Sequence, residues 1–466
     1  MSRSGLPLQL VIVALGTGCA LGLMHVACVI GFQVPFDPNE GWNAYFTQAA
    51  MAAGTPYPPP HGLMINNYPP LSFYVIGAVG KLTADTIVAG RVVSLAALLA
   101  VAIALEAAAR QMGCSHAEAL FSSLLFAAGL MLTSDYVAMD DPQLLGHAIA
   151  LGGLLAALRE PRTPRLMVVS AALLALAFFV KHNLVILPAA LAAWLFLADR
   201  QRAIVFVASG TIFLLVGLGV FKQVFGVSLL DQINSARTYS WTNIQFGLAQ
   251  WLPWGAVPLI GAAALFLLAR RDRHAMFCVI YAATAAGAGV FFLGGAGVDA
   301  NALFDADMAL ALAAGVLMNR LEGRALLSAV AAAAFSIGPA IELASLDADW
   351  RSADYWLHPL ADERRAAAGE IALIRAARGP VLCEMLSLCY WAGKPPEVDV
   401  FNIEQAYLTG ARSDTDLSRQ IERRRYALIQ FETLTPFPLT PRIRRVVELN
   451  YRVVRRDDDR VILAPR

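Results

Sequence analysis

Two acidic groups stand out in a chain otherwise poor in charge. Asp37 and Glu40 follow the first long apolar run in "VPFDPNEGWNAYF", and Asp135, Asp140 and Asp141 follow the third in "TSDYVAMDDPQLLGHA". Carboxylates that end apolar runs can serve as general bases when they face a cavity at a membrane edge. A structural role competes at each position. Asp37 precedes Pro38, the pattern of a helix N-cap with proline at N1, and Glu40 then falls at N3 near the positive helix end. Asp141 before Pro142 repeats the pattern, but a cap explains neither Asp140 nor Asp135. Cations that could meet an anion are few: Arg91, Lys181, Lys222 and Arg237. Arg91 lies inside "AGRVVSLAALLAVAIAL", where it needs a partner or a phosphate. Lys181 and His182 end another run in "FFVKHN". There, snorkelling to the interface is the competing role for the lysine, and an ordinary hydrogen-bonded interface residue is the competing role for the histidine.

The elements that must position these groups are mostly apolar helices. The chain has 466 residues, 58% hydrophobic and 15% charged, too little polar character for a soluble protein of this size. A net charge of +1 gives no support for nucleic-acid binding. About eleven apolar runs suffice for spans: 8–34, 86–109, 117–134, 143–158, 166–181, 184–198, 203–222, 252–269, 275–294, 304–319 and 325–344. The first is too long for a signal-peptide core and reads as an uncleaved span. With the N-terminus cytoplasmic, Arg110, Arg159, Arg162, Arg165, Arg200, Arg202, Arg270, Arg271, Arg273, Arg320 and Arg324 fall on inner loops, as the positive-inside rule requires. The two acidic groups, the loop 32–85, the segments 226–250 and 294–303 and the tail then face outward. Trp241, Trp251 and Trp254 read as an aromatic belt at the membrane surface.

The chain divides into a membrane region, 1–344, and a tail, 345–466, that carries roughly half of the charges. In the long first loop, "EGWNAYFTQAAMAAG" reads as a helix lying in the interface with its aromatic face toward the membrane. "NNYPPLSFYVIGAVGKL" reads as a turn that feeds a second short interfacial helix. In the tail, "GPVLCEM", "RYALIQF", "YRVVRR" and "RVILAP" read as strands, and "ADERRAAAGEIALIRAAR" and "DTDLSRQIERRR" as amphipathic helices. That is a small α/β domain without a phosphate loop or nucleophile elbow, suited to packing or acceptor recognition. Cys383 and Cys389 are the one close cysteine pair; no spacing rule compels a bridge between them, although an oxidising space would permit one.

The order of these features resembles the GT-C superfamily of integral-membrane glycosyltransferases, in particular bacterial relatives of protein O-mannosyltransferases and the lipid A aminoarabinose transferase. The matching motifs are "DPNEGW", "NNYPPLSFY", "AGRVVSL", "MDDPQLLGHA" and "GGAGVDANALFD". The resemblance implies a mainly α, polytopic helical bundle with a C-terminal α/β domain, in the bacterial inner membrane. It implies transfer of a sugar from a polyprenyl-phosphate donor to a lipid, glycan or protein acceptor on the extracytoplasmic face. In that frame Asp37 is the base by family position, with Glu40 assisting. Arg91, Lys181 and Arg237 bind the donor phosphate. Asn67, Tyr68, Asp140, Asp141, His182, Asn301 and Asp305 line the substrate site. The pattern departs from better-known relatives, whose acids are adjacent or paired with a nearby arginine, so the choice between Asp37 and Glu40 stays open. Asp37, Glu40 and Asp141 offer the oxygen ligands that Mg²⁺ or Mn²⁺ prefers, but the resemblance implies a reaction without a cofactor. A transporter or lipid flippase for an envelope precursor is the competing class. It would place ionisable groups near the midplane in matching halves, and no repeat of halves is visible.

Overall fold

The computed structural model describes all residues except 1–4, 53, 60, 134–135, 162, 234, 346–351 and 458–459. Asp135 and Arg162 therefore lie outside the described residues. The first part of the chain is helical: α1 (Leu6–Val29), α2 (Pro38–Met51), α3 (Leu71–Thr83), α4 (Thr86–Gln111), α5 (His116–Thr133), α6 (Gln143–Leu158), α7 (Pro164–Val180) and α8 (Ile186–Ala198). It continues with α9 (Arg200–Phe225), α10 (Leu229–Ile233), α11 (Trp241–Ala269), α12 (Arg273–Leu293), a 3₁₀ turn (Ala300–Leu303), α13 (Phe304–Arg320), α14 (Ala325–Phe335) and α15 (Ile337–Ser345).

Each apolar run of the sequence contains a helix, and the protein is a multi-pass membrane protein. Among the described residues, α1, α4, α9, α11, α12 and the segment 300–320 are long and apolar enough to cross a membrane. The apolar helices α6, α7 and α8 are shorter, so eleven spans exceed the six that length alone supports. Two boundaries differ from expectation. α11 starts at Trp241, inside the segment expected as a loop to residue 250, because Ser240 caps it through the Thr242 amide. The last run breaks after Phe335: the ring of Pro339 would meet the carbonyl four residues earlier.

The bundle core is built around α13, which is buried almost throughout. α1 and α9 instead turn most of their apolar surface outward, as lipid-facing helices do. The expected tryptophan belt is incomplete. Trp241 is exposed, but Trp254 is buried against Gly129 of α5, and Trp251 donates its Nε1–H to Asp307 at 2.8 Å.

The tail holds α16 (Ala353–Leu357), α17 (Ala361–Ala376), β1 (Val381–Cys383), α18 (Leu386–Trp391), α19 (Val400–Leu408), α20 (Thr415–Glu422), β2 (Leu428–Phe431), α21 (Pro441–Asn450), β3 (Tyr451–Arg456) and β4 (Val461–Pro465). The four strands fall where the alternation predicts, in the order β1-β2-β4-β3. β1 pairs parallel with β2, with Leu382 opposite Ile429, and β4 pairs antiparallel with both β2 and β3. Cys383 and Cys389 form a disulfide that ties β1 to α18.

The tail docks on the first loop, and this overturns one expectation. α2 forms with Asp37 as its cap, but its aromatic face does not lie against the membrane. Trp42, Tyr45 and Phe46 are buried among Met64, Phe73 and Leu386, the last from the tail. The tail offers these rings a protein surface to pack on, which removes them from lipid and water together. The contact is close: a Cβ on Gly41 would overlap the backbone nitrogen of Ser387. We expect Gly41→Ala to loosen the docking of α18 on α2 at a cost of about 1–3 kcal/mol, the usual range for overpacking. Thermal unfolding and limited proteolysis of the tail measure this; unchanged protection would place the contact outside the stabilising core.

Candidate active site

The C-terminal ends of α1 and α7 and the N-terminal part of α4 meet the start of α2 and the turn before α6. Asp37 caps α2 by accepting the Asn39 amide at 2.7 Å. Its carboxylate is half-buried, and among the described residues only that amide hydrogen-bonds to it. Burial pushes its pKa up to about 7 against the pull of the Asn39 amide, and the charges of Asp141, Glu40 and Asp299 add to the rise.

Glu40 sits in the opposite condition. Its carboxylate is fully buried and forms a two-point pair with Arg91, with Nε to Oε1 at 2.7 Å and NH2 to Oε2 at 2.6 Å. It also accepts the amides of Phe36 at 2.9 Å and Asp140 at 3.3 Å. The remaining N–H groups of Arg91 go to the carbonyls of Ile30, Phe32 and Val34. All five donors of the guanidinium are thereby used. Arg91 has none left for a phosphate, so the expectation of a donor-phosphate ligand there is corrected: it holds the end of α1 and the start of α2 against α4. Glu40 is its counter-charge. Of the two acids of the first loop, Asp37 is the one whose carboxylate stays accessible.

The second acidic loop locks onto the first. Asn43 donates to the Asp140 carbonyl at 2.7 Å, and the Asp140 side chain packs so tightly on Gly90 that a Cβ there would overlap it. Both carboxylate oxygens of Asp140 are buried without a hydrogen-bond partner among the described residues. Burial, with Glu40 and Asp141 nearby, holds its pKa well above the usual carboxylate range. Asp141 has two roles. Its Oδ1 accepts the Gln143 amide at 2.7 Å at the entry to α6, whose N-cap position is Pro142 rather than the expected Asp141, and both oxygens bind Lys181 Nζ, at 3.1 and 2.9 Å. Lys181 is buried rather than snorkelling, 3.9 Å from the centre of the Tyr68 ring. Tyr68 is fixed by its backbone, which donates to Asn66 Oδ1, while Tyr57 donates its hydroxyl to the Tyr68 carbonyl; Asn67 beside it is buried.

His182 is half-buried. Burial and the charges of Lys181 and Arg237 lower its pKa to about 4, so it is neutral at pH 7. Arg237 donates to the Ala296 carbonyl at 2.8 Å and to Asn402 Oδ1 at 3.3 Å, so the tail reaches the same edge. Asp305 does not join the group: it accepts the Tyr281 hydroxyl at 2.6 Å from α12. Asn301 lies in the 3₁₀ turn before it. Three contributors escaped the sequence reading. Asp299 adds charge near Asp37 and caps the 3₁₀ turn through Ala300. Asp399 and Asn402 come from the tail, where Asp399 accepts the Trp42 indole N–H at 2.9 Å and the Asn402 side chain at 2.7 Å. The D-x-x-N cap at the start of α19 was the one local signal for the last two. As a metal site the acids are poorly disposed, because Glu40 is spent on Arg91 and Asp141 on Lys181. Among the described residues, no group of three or more His, Cys, Asp or Glu could hold a metal ion.

Residues 67–225 match the model of the dolichyl-phosphate-mannose-protein mannosyltransferase family. They include Tyr68, Arg91, both residues of the second acidic pair and Lys181. This chain is similar to that family over 159 of its 466 residues. Its fold is that of ArnT. The structure of ArnT from Cupriavidus metallidurans bound to undecaprenyl phosphate superimposes with a TM-score of 0.63 at 14% identity, covering 98% of this chain and 97% of that one. The apo form of the same protein gives 0.59 at 16% identity, covering 96% and 98%. A comparison with curated proteins finds no match.

The ion pairs make a testable division between the two acids of the first loop. Glu40→Gln leaves Arg91 buried without its counter-charge and should cost about 3–5 kcal/mol of stability. Asp37→Asn keeps a capping side chain and should cost less than about 1 kcal/mol. Unfolding of the detergent-solubilised protein compares them; equal losses would sink the assignment of distinct roles.

Proposed function

We propose that this protein transfers a sugar from a polyprenyl-phosphate donor to an acceptor hydroxyl, with Asp37 as the general base. The observation that carries the reading is the contrast between the two acids. Asp37 is accessible and titrates near neutrality, whereas Glu40 is sealed in an ion pair. A base works best when its pKa lies close to the operating pH.

In a single displacement, the acceptor oxygen attacks the anomeric carbon as Asp37 takes its proton. The bond to the lipid phosphate breaks on the other side, and the polyprenyl phosphate departs with the bonding pair. That leaving group is already a weak base, so it needs cationic stabilisation rather than a strong acid. Lys181 is the best placed cation: its ammonium lies between Asp141 and Tyr68 at the edge of the site, where a phosphate could compete for its N–H groups. Arg237 adds charge from the edge shared with the tail. Tyr68, Asn67 and His182 stand beside Lys181 where a donor sugar would lie. The raised pKa of the buried Asp140 carboxyl favours its protonated form, which can donate a hydrogen bond. The undecaprenyl phosphate held by ArnT, a protein of the same fold, supports a polyprenyl-phosphate donor here.

A compartment follows from the same reading. The disulfide of the tail fits an oxidising space, and the arginine-rich loops fit the cytoplasmic side. The site would then face away from the cytoplasm, across the inner membrane of a bacterium.

Turnover of a labelled polyprenyl-phosphate sugar tests the proposal. Asp37→Asn should lower the rate by about 10²–10⁴-fold, the usual worth of a general base, while the protein still binds the donor. Because the base acts ionised, the rate should rise with pH through about 7 and level off above it. A near-normal rate in Asp37→Asn, or a rate that falls across that range, would remove Asp37 from the role. Lys181→Ala should weaken donor binding about tenfold or more, as expected when a charge-assisted contact is lost; unaltered binding would place the phosphate elsewhere.

A further inference from the structure

Away from these acids, the end of α1 and the outer face of α17 line an open cavity of about 640 Å³. Gly31, Phe32 and Gln33 form one wall. Arg364, Arg365 and Arg375 line the other, with Ala361 and Ala368 between them and Ile371 beside them. The arginines recur at helical spacing, so they share one face of α17, while Ala367, Glu370 and Ile374 pack inward. The Arg364 guanidinium lies 4.0 Å from the centre of the Phe32 ring. A guanidinium stacked in this way is held in place while its N–H edge stays free for an anion. Arg375 donates to the Trp391 carbonyl at 2.9 Å, and Arg365 pairs with Asp362 on its own helix. Among the described residues Asp362 is the one carboxylate paired with this trio, so the cavity keeps a net positive charge.

We infer that this cavity is a binding site for the phosphate headgroup of a membrane lipid. Its position selects the lipid source over a free phosphate. Gly31–Gln33 directly continue α1, whose Leu6, Leu10, Val13, Leu21 and Met24 are exposed along the length of an apolar span. An acyl chain packed on that face carries its headgroup to the level of Phe32 and the arginines. The volume also exceeds what an inorganic phosphate fills. The site does not depend on the transferase reading, because none of its arginines touches the carboxylate cluster. It does share a backbone with it: the Phe32 carbonyl, one residue of this wall, accepts an N–H from Arg91 at 2.7 Å. A headgroup bound here would therefore brace the segment that leads to Asp37.

Native mass spectrometry of the full chain in detergent tests the inference. Equal amounts of dioleoyl phosphatidic acid and dioleoyl phosphatidylcholine are added, with and without equimolar inorganic phosphate. The wild-type protein should retain phosphatidic acid in preference to phosphatidylcholine. Arg364→Ala/Arg365→Ala should lower that retention by on the order of tenfold, the loss expected for charge-assisted contacts, and leave phosphatidylcholine unchanged. Gln33→Glu, which adds a negative charge on the opposite wall without altering α17, should lower it as well. Undiminished phosphatidic acid in both variants would overturn the site. Displacement by equimolar inorganic phosphate would assign it to a soluble anion and overturn the lipid reading.

Discussion

The buried pair between Arg91 and Glu40 is the interaction on which the site depends. Taking either charge out of water costs several kcal/mol, and only close geometry with complete hydrogen bonding offsets that cost. Here the geometry is complete: five N–H groups meet two carboxylate oxygens and three carbonyls, and the carboxylate takes two further amides. The partners belong to the end of α1, the start of α2, the middle of the first acidic loop and the turn that carries Asp140. One ion pair thus gathers segments that are far apart in the chain and holds them in a single arrangement. Asp37 stands three residues from Glu40, at the rim of that arrangement, and inherits its position from it.

A second pair repeats the device at the neighbouring edge. Asp141 and Lys181 neutralise each other, and the Tyr68 ring closes over the ammonium. The two pairs leave the acids of the site in three different states. Glu40 and Asp141 are balanced by cations, Asp140 is buried with its pKa raised, and Asp37 is half-buried with its pKa pushed up to about 7. Neighbouring carboxylates raise one another's pKa values, so the acids that look redundant in sequence help to tune the one that is accessible.

The tail completes the site rather than merely following it. Asp399 holds the Trp42 indole, Asn402 steadies Arg237, and Gln405 accepts both donors of Thr238. The aromatic face of α2 is consequently covered by protein. A helix that sequence periodicity marks as amphipathic needs an apolar partner, but periodicity does not say whether lipid or protein supplies it.

Local rules were enough for much of this molecule. Apolar runs became helices because each must bury its backbone hydrogen bonds within itself. Asp37 before Pro38 became a cap, and the four tail strands formed where alternation placed them, since both depend on near neighbours in the chain. The acids and cations were also legible as a set, because charge is rare in such a chain. Their division of labour was not. Arg91 read equally well as a phosphate ligand or half of an ion pair, and only the distance to Glu40, fifty-one residues away in the chain, decided between them. Asp305 faced Tyr281, Trp254 went inside, and Asp399 came in from the tail for the same reason. A side chain's chemistry is set by what lies within a few ångströms of it. For these residues those neighbours come from other parts of the chain, so only the folded arrangement could supply them.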